Sequence, residues 1–133
     1  MPRPTVNDLT RPFFDAAREH RLVIQLCSSC GAFRHPPRHI CPHCRSFDVA
    51  WRQVDGRGRL FSWSVVHQQF HPAMASVVPY VVAVVELHDT GGTRFTSNLV
   101  DATETDRTVG REVEVVWEDM DEHLTLPRFR PRN

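Results

Sequence analysis

The spacing of the cysteines constrains the fold of this chain more than any other sequence feature. All four lie in the segment CSSCGAFRHPPRHICPHC, as two Cys-x-x-Cys pairs with ten residues between them. Two intervening residues let the chain turn tightly enough for both sulfurs of a pair to reach one ion, and two such pairs are typical of a tetrahedral four-sulfur site. We therefore predict one metal ion per chain, bound by Cys27, Cys30, Cys41 and Cys44.

The neighbouring residues favour a metal site over other uses of paired cysteines. Gly31 follows the second cysteine, where a turn needs backbone freedom, and Pro42 fixes φ inside the second pair. The N-terminus lacks a signal-peptide pattern, so we do not expect stable disulfides, and a thioredoxin-type redox pair would need a βαβ context. Four sulfurs leave no open coordination position, so we expect a structural metal.

Zinc is the expected metal, with iron as the alternative. CxxCG and CPxC also occur in rubredoxin, but the spacer here is much shorter, and Arg45 stands where that pattern has glycine. His35, His39 and His43 flank the ligands. With four cysteines present, we expect these histidines at the surface or supporting the ligands from outside.

The charges are unevenly distributed along a chain of zero net charge. All sixteen basic residues are arginines; residues 1–60 hold ten of them against five acidic residues, and residues 61–133 hold six against eleven. The asymmetry indicates either an arginine-rich codon usage or an N-terminal part that presents forked donors to an anion such as phosphate.

The first elements surround the cysteines. TRPFFDAAREHRL is predicted to be a helix, with Thr10 as N-cap and Pro12 in the first turn. Its apolar stripe of Phe13, Phe14 and Ala17 either packs on its own domain or serves as an aromatic arm for a partner. RLVIQLC is predicted to lead into the first pair as a strand, and FDVAWRQV to leave the second.

The rest of the chain is predicted to form five strands: RLFSWSVVHQ, PYVVAVVELHD, RFTSNLV, EVEVVWED and LTLPRF. In the first, alternation puts Phe61, Trp63 and Val65 on one face. The second is apolar enough to be covered on both sides, and the fourth points Val113, Val115 and Trp117 inward. Five strands in this length fit a small barrel of the OB type. The longest apolar run is too short and too interrupted to cross a membrane.

The cysteine segment, GRGRLFSWSVVH, PYVVAVVEL and VGREVEVVW together resemble the bacterial and archaeal family of zinc-ribbon domain-containing OB-fold proteins (domain of unknown function 35). Its most specific features are PPR before CPHC and the glycine pair before the first barrel strand. The resemblance implies a mainly β protein: an N-terminal helical arm (residues 1–22), a rubredoxin-like zinc ribbon (23–51) and a five-stranded OB-fold (52–133).

The resemblance also implies a role. Family members accompany thiolase-like enzymes, steroid side-chain aldolases and MaoC-type hydratases, and are thought to help bind acyl-CoA. We therefore expect a cytoplasmic, non-catalytic accessory subunit of such an enzyme. We also hypothesise that an arginine-rich ribbon edge meets the coenzyme A phosphates, with Arg38 and then Arg34 as candidates.

Two other functions were weighed. A single-stranded nucleic-acid-binding module is the alternative, because zinc ribbons and OB folds both bind nucleic acids, but the acidic second half disfavours it. A free-standing enzyme would rely on His67, His71, or His88 beside Asp89. The chain has no spare cysteine and no GxSxG elbow, and these histidines fall at predicted strand ends and loops.

Overall fold

The computed structural model describes residues 4–68, 72 and 78–133. Over these residues the chain forms one helix and then strands. Their bounds are α1 (Arg11–Arg18), β1 (Leu22–Leu26), β2 (Phe33–Arg34), β3 (Ala50–Val54), β4 (Arg57–Val66), β5 (Tyr80–Leu87), β6 (Arg94–Leu99), β7 (Glu112–Asp119) and β8 (Thr125–Pro131), with a 3-10 turn at Glu104–Asp106. The predicted class, a mainly β chain with one helix, a zinc-ribbon region and a five-stranded barrel, is confirmed.

Helix α1 is shorter than predicted and packs on its own chain. It ends at Arg18, because His20 adopts a φ of 57° and turns the backbone towards β1. Thr10 is the N-cap residue, as predicted, and its carbonyl oxygen accepts from the Phe14 N–H at 3.2 Å, but its side chain makes no capping hydrogen bond to the helix. The Asn7 carbonyl oxygen accepts from the Arg11 N–H at 2.8 Å. The stripe that includes Phe13 is buried against β1 and β8 and is not free for a partner.

The first sheet has the antiparallel order β2-β1-β3. Strand β1 is buried along its whole length, and it pairs with β3 from Leu22 opposite Val54 to Leu26 opposite Ala50. The two strands predicted on either side of the cysteines are therefore neighbours, and their pairing places both cysteine pairs at one end of this sheet. The division of the chain at residues 22 and 51 stays a prediction.

The second sheet is a closed barrel in the order β4-β5-β6-β8-β7. Neighbouring strands are antiparallel, except that β6 and β8 run parallel. Gly58 lies where β4 pairs with both β5 and β7, and a Cβ there would stand 2.5 Å from the Glu86 carbonyl oxygen. Gly56, with a φ of 78°, precedes it. At the point where the barrel closes, Gly58 is therefore required by the close approach of the neighbouring strand, and Gly56 by its left-handed backbone.

One hydrophobic cluster joins the helix, the first sheet and the barrel. It contains Phe13 of α1 and Leu22 and Ile24 of β1 together with residues of all five barrel strands: Leu60, Ala83, Val85, Leu87, Phe95, Leu99, Val113 and Phe129. Val115 and Trp117 pack against it, so the predicted inward face of β7 is confirmed. The parts of the chain therefore share a core.

The residues predicted to share one face of β4, Phe61, Trp63 and Val65, do not all do so. A β-bulge between Leu60 and Ser62 takes Phe61 out of the alternation: Leu60 is fully buried opposite Val85, and Trp63 lies opposite the fully buried Ala83 but is itself 37% exposed. Phe61 lies only half-buried, under the Arg94 guanidinium, whose carbon is 3.8 Å from the ring centroid. Strand β5 alternates between buried and half-buried residues rather than being covered equally on both sides. No helix among the described residues is long and apolar enough to cross a membrane.

Candidate metal centre and its surroundings

The two cysteine pairs form two turns of the same backbone design. In the first, the Gly31 N–H donates to the Cys27 carbonyl oxygen at 2.7 Å; in the second, the Arg45 N–H donates to the Cys41 carbonyl oxygen at 2.8 Å. Gly31 has a φ of 77° and Arg45 a φ of 62°. Both turns therefore need a left-handed residue after the second cysteine, and only the first has glycine there.

The four sulfurs converge on one point. All lie within 4.8 Å of one another, with Cys27 Sγ 3.5 Å from Cys44 Sγ and Cys30 Sγ 3.6 Å from Cys41 Sγ. A tetrahedral zinc ion with ~2.3 Å bonds to sulfur holds its ligands ~3.8 Å apart, whereas a disulfide needs ~2.0 Å. The four thiols fit a Zn²⁺ ion closely and form no disulfide.

Backbone N–H groups favour the thiolate form of two of the sulfurs, those of Cys27 and Cys41. The N–H of Cys44, with help from that of His43, lowers the pKa of the Cys41 thiol to about 6, and the N–H of Cys30 lowers the pKa of Cys27. The thiolate is the form that binds metal. A zinc ion with four thiolates carries a net charge of roughly −2, which suits a segment rich in arginine.

A polar link that the sequence analysis missed joins the two turns. The Ser29 hydroxyl donates to the Asp48 carboxylate and lies 3.2 Å from the Ser46 hydroxyl, which in turn accepts from the Asp48 N–H at 3.0 Å. The Ser29 hydroxyl also lowers the pKa of Asp48. The only sequence signal is the presence of these residues beside the cysteines; their meeting depends on the fold.

Arg34 was predicted at an exposed ribbon edge and is instead buried, with 5% of its surface exposed. Its Nε donates to Gln25 Oε1 at 2.7 Å and its Nη2 to the Arg38 carbonyl oxygen at 3.1 Å. Gln25, itself buried, also accepts from the Arg38 N–H at 2.7 Å. Arg34 thus holds the spacer between the cysteine pairs against β1. Arg38 is exposed, and its guanidinium makes no ion pair within the described part of the chain.

His35 also differs from its predicted position. Its ring stacks on Phe95 with centroids 4.3 Å apart and lies 5.7 Å from Phe13. Burial lowers the pKa of this imidazole to about 4, so the ring is neutral at pH 7. His39 and His43 are exposed, as expected. The spacer therefore extends from the metal centre to the shared core.

Two cavities adjoin these elements. One, of about 280 Å³, lies where α1, the spacer and the barrel meet, and its wall includes Phe14, His35 and Phe95. The other, of about 520 Å³, lies on the side of the barrel and includes Arg107 and Arg128. The first is mostly apolar, and the second mixes arginines with acidic residues.

The described histidines considered for catalysis, His67 and His88, lie at opposite ends of β4 and are not brought together. His67 is exposed, and His71 lies outside the described residues. His88 Nε2 is 2.9 Å from Glu112 Oε1, and both side chains are substantially exposed. Asp89 has a φ of 62° in the β5–β6 turn, where an acidic residue suits the left-handed backbone.

Comparison with known proteins identifies both parts of the chain. The profile of the ChsH2 rubredoxin-like zinc ribbon domain matches residues 14–50, and that of the ChsH2 C-terminal OB-fold domain matches residues 51–118. A "DUF35 domain-containing scaffold protein" from Methanothermobacter thermautotrophicus is 33% identical over 113 residues, which cover 84% of this chain and 83% of that protein.

Two further relatives carry names of enzyme subunits. A "Probable enoyl-CoA hydratase alpha subunit" from Thermomonospora curvata is 45% identical over 130 residues, which are 98% of this chain but only 40% of that protein. The solved structure described as "Ltp2-ChsH2(DUF35) aldolase" contains a chain that is 45% identical, with a TM-score of 0.84 over 97% of this chain and 98% of the other. This chain therefore belongs to the ChsH2 (DUF35) family, whose members combine a rubredoxin-like zinc ribbon with an OB-fold domain.

Proposed function

We propose that this chain is a cytoplasmic accessory subunit, without catalytic activity of its own, that stabilises a thiolase-like or steroid side-chain aldolase enzyme and helps it bind acyl-CoA. The observation that carries the proposal is the likeness, over nearly the whole chain, to the ChsH2(DUF35) component of an aldolase assembly. The hydratase name of the Thermomonospora relative supports a MaoC-type hydratase as another partner.

The metal centre supports a structural rather than a chemical role. The four cysteines would hold Zn²⁺ in a closed tetrahedral shell, which supplies cross-linking and no open position for substrate. The shared core ties this centre through His35 and Phe13 to the barrel. Such a cross-linked body is suited to presenting a fixed surface to an enzyme. Cysteines that bind zinc and form no disulfide fit the reducing cytoplasm.

Size-exclusion chromatography and activity assays test the subunit proposal. The aldolase-type or hydratase-type enzyme encoded beside this chain should elute with it when the two are mixed and should be less soluble or less active alone. This chain alone should turn over no acyl-CoA substrate. If the two proteins elute separately and the rate of the enzyme does not change, the proposal is wrong.

The acyl-CoA part of the proposal rests on Arg38. Its guanidinium is exposed and unpaired among the described residues, while its backbone is held by Gln25, so it offers a fixed forked donor for phosphate. Titrating an acyl-CoA into the enzyme complex should show about 10-fold weaker binding for Arg38→Ala. Arg130→Ala, an exposed arginine on β8, is the matched control and should bind like the wild type. Equal affinities for all three proteins would exclude Arg38.

One observation favours the nucleic-acid alternative. Trp63 is partly exposed, and Arg94 lies over the half-buried Phe61, so β4 offers two accessible aromatic rings for bases. Fluorescence anisotropy with single-stranded DNA at increasing salt tests this function. Salt-sensitive binding that Trp63→Ala weakens would favour the alternative over the enzyme-subunit proposal.

A further inference from the structure

We propose that three exposed apolar side chains of the zinc ribbon, Ile40, Phe47 and Val49, form the surface that docks on the aldolase-type enzyme subunit. We call this surface the ribbon patch. The inference rests on the proposed function, because it names where the accessory subunit would meet its enzyme. The partner surface it requires is an apolar groove edged by carboxylates.

The exposure of these side chains is the first argument. Ile40 is 45% exposed, Phe47 73% and Val49 43%. Six large hydrophobic residues are exposed in the described part of the chain, and these three fall within ten consecutive residues. Isolated exposed apolar residues are ordinary, but a local cluster on a soluble protein marks an interaction surface.

The second argument is that the backbone brings these residues together. The Cys41 N–H donates to the Ser46 carbonyl oxygen at 2.9 Å, so the chain before Cys41 and the chain after Ser46 leave the metal centre side by side. Ile40 and Phe47 flank this pair, and Val49 lies two residues further along. The patch is thus built on the four-cysteine centre, which fixes its shape before any partner binds and reduces the entropy cost of docking.

Charge identifies the kind of partner. Arg38 and Arg45 are exposed two residues before Ile40 and Phe47 respectively. Asp48 is the only acidic residue between positions 27 and 50, and its carboxylate accepts from Ser29. The zinc centre beneath the patch would carry a charge of roughly −2. The exposed rim holds two guanidinium groups against one carboxylate, so we call it basic, and its complement is a groove with an acidic rim.

The same charges disfavour a second copy of this chain as the occupant. A symmetric contact of patch with patch would place the basic rims of the two copies against each other. A contact between the patch and the acidic barrel of another copy is head-to-tail and would extend into an open assembly unless its rotation closed a ring. A different protein with an acidic-rimmed groove meets neither difficulty.

The test is the affinity of the tagged neighbouring enzyme for this chain, measured by biolayer interferometry with zinc-loaded proteins. Phe47→Asp places a charge in the centre of the patch and should weaken binding by about 30-fold or more, as for a central aromatic anchor. Val109→Asp is the matched control, because Val109 is 67% exposed and lies in the turn before β7, away from the ribbon in the sequence. It should bind like the wild type.

Metal analysis and amide exchange first establish that each variant holds one zinc and is folded. If Phe47→Asp fails to fold or to hold zinc, Val49→Asp replaces it, and it should weaken binding to the same extent. Equal affinities of the wild type and the patch variant would overturn the inference while leaving the proposed function standing. Failure of the wild type to bind would overturn both. Concentration-dependent dimers of the isolated chain that Phe47→Asp abolishes would identify a second copy as the occupant and overturn the enzyme assignment.

Discussion

Arg45 occupies a backbone position that the equivalent turn gives to glycine. Its φ of 62° is left-handed, and a residue with a Cβ is less stable than glycine in that region by about 1 kcal/mol or more. We expect Arg45→Gly to raise the free energy of unfolding of the zinc-loaded protein by up to about 1 kcal/mol, part of the gain being offset by the greater freedom of glycine in the unfolded chain.

Urea unfolding measures this change. Gly31→Ala is the reciprocal control, because it introduces a Cβ at a φ of 77° where no atom would contact it, and it should lower the free energy of unfolding by a similar amount. A destabilised Arg45→Gly protein would contradict the argument from backbone conformation.

His35 is a buried neutral imidazole, and its burial makes stability depend on pH. Its pKa in the folded protein is about 4, below the ordinary value of 6.5, so the unfolded chain takes up the proton first as the pH falls. The contribution of the neutral ring is complete above pH 6.5 and is lost as the pH falls from there to 4. Over this window the wild type should lose up to about 3 kcal/mol more than His35→Phe.

Protons also compete with zinc for the cysteine thiolates as the pH falls. The wild type and His35→Phe both retain the metal centre, so the difference between their pH dependences reports on His35 alone. Urea unfolding at several pH values gives the two slopes. His39→Phe changes an exposed histidine of the same segment and should keep the wild-type slope. Parallel curves for the wild type and His35→Phe would show that burial of this ring does not govern the pH dependence.

At the scale of elements, the ribbon has two parts with different sources of stability. Strand β1 is buried in the shared core and pairs with β3 over five residues, whereas β2 is only two residues long and the cysteine turns have little core of their own. Metal binding should therefore supply most of the order of the two cysteine turns, residues 27–32 and 39–49, while β1, the barrel and the spacer around Arg34 and His35 are held by packing and hydrogen bonds.

Cys41→Ser, or removal of zinc by a chelator, should release the cysteine turns and leave the barrel folded. Hydrogen exchange should show loss of protection in residues 27–32 and 39–49 and retained protection in β1 and β4–β8. Metal analysis should give one zinc per wild-type chain and well under half an equivalent for the variant. Ser28→Ala, at an exposed position of the first turn, should change neither the hydrogen-exchange protection nor the zinc content. Ordered turns without metal would refute the structural role of the ion.

At the scale of the whole molecule, Phe13 connects the helix to the rest of the chain. Its ring lies 5.9 Å from that of Phe95, 5.7 Å from that of His35 and 5.2 Å from that of Phe14. Because all these units share one core, we expect Phe13→Ala to lower the free energy of unfolding by about 3–5 kcal/mol. Phe14→Ala, at a half-buried neighbour, should cost clearly less.

Tryptophan fluorescence during chemical unfolding gives the measurement. Trp51 reports on β3, and Trp63 and Trp117 report on the barrel. Zinc-loaded wild-type protein should unfold in one transition with a common midpoint for fluorescence and far-UV circular dichroism. Separate transitions, or equal costs for the two phenylalanine variants, would contradict a shared core.

The sequence alone determined the features that depend on short stretches of chain. The cysteine spacing predicts the metal centre because two intervening residues decide whether a pair of sulfurs can meet. Alternation and turn residues predict the five barrel strands, since the side-chain period of a strand is a local property. The resemblance to the family was likewise carried by contiguous strings, and it implied the order of ribbon and barrel that the structure has.

Only the tertiary structure decided where single side chains lie when packing from distant strands controls them. Arg34 has the local signature of a surface residue, but Gln25 and the Arg38 backbone provide buried partners for its Nε and Nη2 donors. His35 is drawn inward by Phe95, sixty residues away along the chain. The bulge in β4 removes Phe61 from the side-chain alternation, because pairing with β5 sets Leu60 opposite Val85 and Trp63 opposite Ala83.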